Sequence, residues 1–188
     1  MRAPSRYFGL SLVTILLAAV ASCDAPDKKW VSDTSGVSFV IPGDYGWKVQ
    51  PPGRQVKISL VRKGPFSGGS VSYSEMPQKG PVTIGQKAGE AWETRYFKRS
   101  LNTKVAGSMT TFHGRPAYEF ESQEKDPESG VQARTKAILC STGNTVFSIM
   151  ATTARKGTPR DPFEEPVIKK FMDSIQIPDS PQPATASR

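Results

Sequence analysis

Between Lys104 and Thr153 apolar residues return at every second position, in four runs separated by short turns. "KVAGSMTTF" turns at His113-Gly114 into "RPAYEFES", where Tyr118 and Phe120 face one way and Glu119 and Glu121 the other. The polar stretch "QEKDPESG" leads into "VQARTKAILCS", and Thr142-Gly143-Asn144 turns again into "TVFSIMATT". Alternation of period two, interrupted by turn residues, is the pattern of neighbouring strands with one buried face. Arg134 and Lys136 would meet Glu119 and Glu121 across the ladder, where such pairs contribute about 0.2–1 kcal/mol each. The stripe is expected to be mainly a solvated sheet face, with helices covering only part of the sheet there.

The first half carries the same signal in shorter pieces. "VSFVIP" places Val37, Phe39 and Ile41 on one side before the turn Pro42-Gly43-Asp44. "YGWKVQ" ends at Pro51-Pro52-Gly53, and "VKISLVR" puts Val56, Ile58 and Leu60 opposite Lys57 and Ser59. After the loop "KGPFSGGS", "SVSYSEM" faces Val71 and Tyr73 together. The period then changes: Ile84, Ala88, Ala91, Trp92 and Tyr96 recur at helical spacing, and Thr83 with Gln86 fits a capping box. A closing helix is expected over "DPFEEPVIKKFMDSIQI", with Phe163, Val167, Ile168, Phe171 and Ile175 on its apolar face and Pro166 in its first turn. The fold class is therefore α+β: one domain over residues 30–177, an antiparallel sheet of about six to seven strands flanked by helices. Residues 178–188 read as a disordered tail.

The compartment is written at the start of the chain. Arg2 and Arg6 precede an uncharged run from Leu10 to Val20, too short for a spanning helix but suited to a signal-peptide core. Val20-Ala21-Ser22-Cys23 resembles the lipobox of bacterial lipoproteins, so residues 1–22 would be removed and Cys23 acylated. Two or more acyl chains anchor stably where one holds only marginally. Asp24 resembles a signal that retains lipoproteins in the inner membrane, which points to the periplasmic face of a Gram-negative inner membrane. Residues 23–29 form a tether, and its six residues after the cysteine reach only about 20 Å when extended.

Charge and cysteine content narrow the chemistry. Loss of the two signal arginines leaves 23 basic against 17 acidic side chains. Such a surface attracts anionic lipid or acidic partners, while export argues against nucleic acid. Acylation of Cys23 would leave Cys140 without a cysteine partner, so stability must come from packing. With one histidine in the chain, a His-rich zinc site is excluded, and no phosphate-loop or dinucleotide fingerprint occurs. Cofactors and metals are not expected. The case for an enzyme rests on Cys140 with His113, since a thiol near an imidazole can form a reactive thiolate. Against it, a lone strand cysteine serves as a small hydrophobe, and His113 sits in a turn. Glu119, Glu121, Glu124, Asp126 and Glu128 lack a calcium-loop pattern and read as solvated. Lys48, Arg54, Lys57, Arg62 and Lys63 cluster around the first hairpins, as a solvated face or a docking face for lipid or a partner.

The order of segments is similar to the PsbP-like superfamily, and within it to the small DcrB-like bacterial lipoproteins. Phe39-Val40-Ile41-Pro42 with Trp47, Gly114-Arg115-Pro116-Ala117-Tyr118, and Phe171 to Ile175 carry the resemblance. It implies an antiparallel sheet flanked by helices in an α/β/α sandwich. It also implies a non-catalytic accessory protein that binds or stabilises a membrane-associated assembly, with no catalytic motif to carry over. The expected function is that of a lipid-anchored envelope protein with a protein partner, against the alternative of a small periplasmic enzyme with a thiol or acidic site.

Overall fold

A computed structural model of the protein describes residues 26–43, 46–64, 67–97 and 104–179. The segment expected to be a signal peptide, with Cys23, Asp24 and the tail from residue 180, lies outside them. The described residues form an α+β domain built on a seven-stranded antiparallel sheet, with a separate two-stranded sheet and two α-helices. In chain order the strands are β1 (Lys28–Val31), β2 (Ser38–Ile41), β3 (Lys48–Gln50), β4 (Val56–Lys63) and β5 (Ser67–Pro77). Helix α1 (Gln86–Phe97) follows, then β6 (Lys104–Phe112), β7 (Arg115–Lys125), β8 (Val131–Thr142) and β9 (Thr145–Lys156). A single 3-10 turn (Pro162–Glu164) and α2 (Pro166–Asp173) close the domain. The large sheet runs β3-β4-β5-β9-β8-β7-β6, so the last strand in sequence lies at its centre, beside β5.

Two cores sandwich this sheet. On one face Phe39 from β2 and Phe171 from α2 pack on Leu60, Val71, Tyr73, Phe147 and Ile149. On the other, Ile84 and Trp92 pack on Tyr118, Phe120, Ala137 and Leu139. Residues 137–142 of β8 are consecutively buried because both layers cover that end of the strand. That double cover is why "AILC" reads as a continuous apolar run rather than an alternating one.

Four expectations change in detail. The closing helix is split: Pro166 has no N–H to give and forces Glu165 into extended backbone (φ −68°, ψ 124°), so the 3-10 turn stops there and α2 starts afresh. Gln86 is the first residue of α1 and donates to Glu90 at 2.8 Å instead of closing a capping box with Thr83. The charged stripe on β7 and β8 is half-buried rather than solvated. Arg134 donates twice to Glu121, from Nε and Nη2, each at 2.8 Å. Asp161, which accepts from the Phe163 N–H through Oδ1, turns Oδ2 toward Arg134 (3.2 Å) and Lys136 (2.6 Å). The loop before the 3-10 turn therefore supplies the cover that the sequence left to water. Strand β1 also begins at Lys28, inside the segment read as a tether.

Candidate functional site

The open end of β4, β5 and β9 forms a basic cleft, and strand register builds it. Arg62, Gly69 and Thr153 lie in one row on the face that carries α2. The absence of a side chain on Gly69 admits the Trp47 indole, whose Cη2 would stand 2.8 Å from a Cβ there. Arg62 lies over that ring at 5.3 Å and pairs with Glu165 at 3.2 Å. Beyond β9, Gly157 takes φ 90°, a left-handed conformation open to glycine, and the chain doubles back. Thr153 Oγ1 then donates to the Arg160 carbonyl at 2.5 Å, fixing the returning segment against the strand. The result is a cleft of about 410 Å³ lined by Arg62, Ser67, Gly68, Arg155, Lys156 and Arg160, with Glu165 its one carboxylate.

Four cations against one paired carboxylate suit an anionic group. Guanidinium forks match phosphate and carboxylate geometry with two parallel donors. The reactive side chains of the lining are the hydroxyls of Ser67 and Thr153, and Thr153 is already committed to a carbonyl.

Of the five bases singled out in the sequence, Arg62 enters this cleft. Lys63, the next residue on β4, points to the opposite face, which Lys48 shares through its pairing with Val61. Lys57 falls at a bulge between Val56 and Ile58, and Arg54 is exposed in the connection before β4. The five therefore do not form one face: Arg62 is on one side of the sheet, and Lys48 and Lys63 are on the other. Sequence reasoning passed over Arg155, Lys156 and Arg160. The signal was present in "ARKGTPR", three bases around a glycine turn without an acid.

Cys140 is fully buried, and its Sγ lies 3.7 Å from the Pro116 carbonyl and 3.9 Å from that of Ser141. Burial pushes its thiol up from the ordinary range, the direction opposite to nucleophile activation. His113 is exposed at φ 48° in the β6–β7 turn, its ring edge-on to Phe112 at 4.4 Å. Asp126 is spent on its own turn, accepting from the Glu128 N–H (3.0 Å) and the Ser129 hydroxyl (2.5 Å). A buried polar cluster was also missed. Glu75, 2% exposed, accepts from Ser35 Oγ (2.5 Å) and Tyr73 OH (2.7 Å), tying the β1–β2 turn to β5.

No protein-family model matches the sequence, and no curated protein matches it. Among solved structures the chain is similar to a protein from Bacteroides thetaiotaomicron, with 14% identity and a TM-score of 0.46 over 80% of this chain. It spans about half of that protein, 48% of its length. It is also similar to LpqN of Mycobacterium tuberculosis, described as involved in cell envelope biogenesis, with 12% identity and a TM-score of 0.47. That match covers 82% of this chain and 92% of LpqN. Among the described residues no helix is long and apolar enough to cross a membrane.

Proposed function

We propose that the protein is a lipid-anchored, non-catalytic envelope protein that binds a membrane-associated partner, using the basic cleft to receive an anionic group. The observation that carries this function is the cleft itself: four cations in an open depression whose one carboxylate is held by Arg62. The PsbP-like and DcrB-like resemblance belongs to the same proposal, as does acylation at Cys23 and inner-membrane retention through Asp24. The deep burial of Cys140 and its carbonyl partners favour a packing role over a catalytic one.

Mass spectrometry of the mature N-terminus should find an acylated Cys23, and an unmodified thiol there removes the anchor. In cells, R155E/R160E should weaken cross-linking to the envelope partner, while C140S and H113A leave the phenotype intact in folded protein. Loss of phenotype in C140S and H113A, with R155E/R160E silent, would establish a thiol enzyme instead.

A further inference from the structure

We infer that the basic cleft faces the bilayer and takes the phosphate of an anionic phospholipid headgroup from the membrane that holds the tether. The inference rests on the lipid-anchor proposal above and adds the ligand class and the orientation. Its basis is a clasp at the start of the domain. Asp27 accepts from the Gly43 N–H at 3.0 Å and lies 2.7 Å from Lys170 Nζ on α2. Asp27 lies four positions after Cys23, a reach of at most about 14 Å. The end of the domain bearing this clasp is therefore held within that distance of the acylated residue.

Both clasp partners lead to the cleft within a few residues. Gly43 precedes by four positions Trp47, the ring on which Arg62 lies. Lys170 follows by five positions Glu165, the carboxylate that Arg62 pairs with, about 7.5 Å along a helix. The clasp and the cleft thus occupy the same end of the molecule. Arg155, Lys156 and Arg160 are exposed there, and Lys28 and Lys29 add two exposed cations directly after the clasp. A tether this short raises the local concentration of headgroups into the range where even a weak phosphate site is filled. A cleft of about 410 Å³ with several donors fits one headgroup, and cations within a Debye length of an anionic leaflet are drawn to it.

The test uses the full acylated protein reconstituted in phosphatidylcholine vesicles, with or without phosphatidylglycerol, followed by hydrogen exchange of residues 153–160. Phosphatidylglycerol should slow exchange in that segment severalfold, and neutral lipid should not. R155E/R160E should abolish the difference, and should lower binding of the unacylated protein to the anionic vesicles about 10-fold or more. If that pair disturbs folding, R155Q/R160Q should give the same loss in smaller measure. Equal exchange on both vesicles, or protection confined to another surface, overturns the inference. Millimolar inorganic phosphate on neutral vesicles reproducing the full protection would also overturn it, assigning the cleft to a free anion. Failure of the anchor reads separately: unacylated protein washes off neutral vesicles, while its recruitment by phosphatidylglycerol still reports on the cleft.

Discussion

Tyr118 is held between two glycines. Methyl groups at Gly89 of α1 and at Gly107 of β6 would overlap its ring and hydroxyl, and its OH donates to Glu93 at 2.7 Å. Gly89 counts against the helix when propensity alone is considered, by about 1 kcal/mol relative to Ala. G89A should nevertheless lower stability by about 1–3 kcal/mol in urea titration, because overpacking at the ring outweighs the propensity gain. Burial first, and then the hydrogen bond to Glu93, push the Tyr118 phenol up to about 12. A raised pKa means the folded state keeps a proton that the unfolded chain gives up near 10. The contribution is whole below about pH 10 and disappears as pH climbs from there toward 12. Y118F should flatten that part of the alkaline melting curve, with Tyr73, also raised by burial, supplying what slope remains. Residue alternation places Glu75 on the buried face with Val71 and Tyr73. Its partner Ser35, forty positions away, was not legible because no local pattern encodes that contact.

At the scale of elements, β7 and β8 share a charged ladder that the 3-10 turn closes over. Arg134, through its paired hydrogen bonds, holds the Glu121 carboxyl below the usual carboxylate range. The sign follows from the lowered pKa: the stabilisation is present above the unfolded value of about 4.3 and is lost as pH falls through the folded one. E121Q should therefore melt below the wild type at neutral pH, with the gap narrowing as the solution is acidified past about pH 4. A constant gap down to acid pH would mean that the pair contributes through shape rather than charge. Strand positions and this charge pairing were legible because alternation and cross-strand chemistry are local to a meander. The cover supplied by Asp161 was not, since it depends on where Pro166 breaks the closing helix. The basic cleft escaped for a related reason: its residues come from strand ends and a glycine turn, which period-two patterns do not rank.

The whole molecule has its layers set by long-range order: β9, last in sequence, pairs with β5 and β8, and the short β1–β2 sheet lies outside the main ladder. Alternation could supply the strand count but not this seating, because the separate sheet is secured by ring packing and by backbone pairing of Ser38 with Gln176 after α2, rather than by register with the large sheet. Trp30 stacks on Phe39 at 4.6 Å and meets Tyr73 edge-on at 5.6 Å, so β1 lids the aromatic centre of the larger core. The anchor, on the proposed reading, is joined to the domain through this strand, and tension at the tether would pass into it through the Asp27 clasp. W30A should cost about 2–3 kcal/mol, less than a fully buried tryptophan, because the ring is only partly covered. At the other terminus Arg115 donates to the Pro178 carbonyl at 2.6 Å. Ending the chain after Asp179 should leave the melting temperature unchanged. Ending it after Ile177 should cost about 0.5–1.5 kcal/mol for the lost hydrogen bond. Melting curves of the three variants compared with the wild type order these effects. If W30A proves as mild as the shorter truncation, β1 is an appendage of the tether, and the core beneath it is closed by β2 and α2 alone.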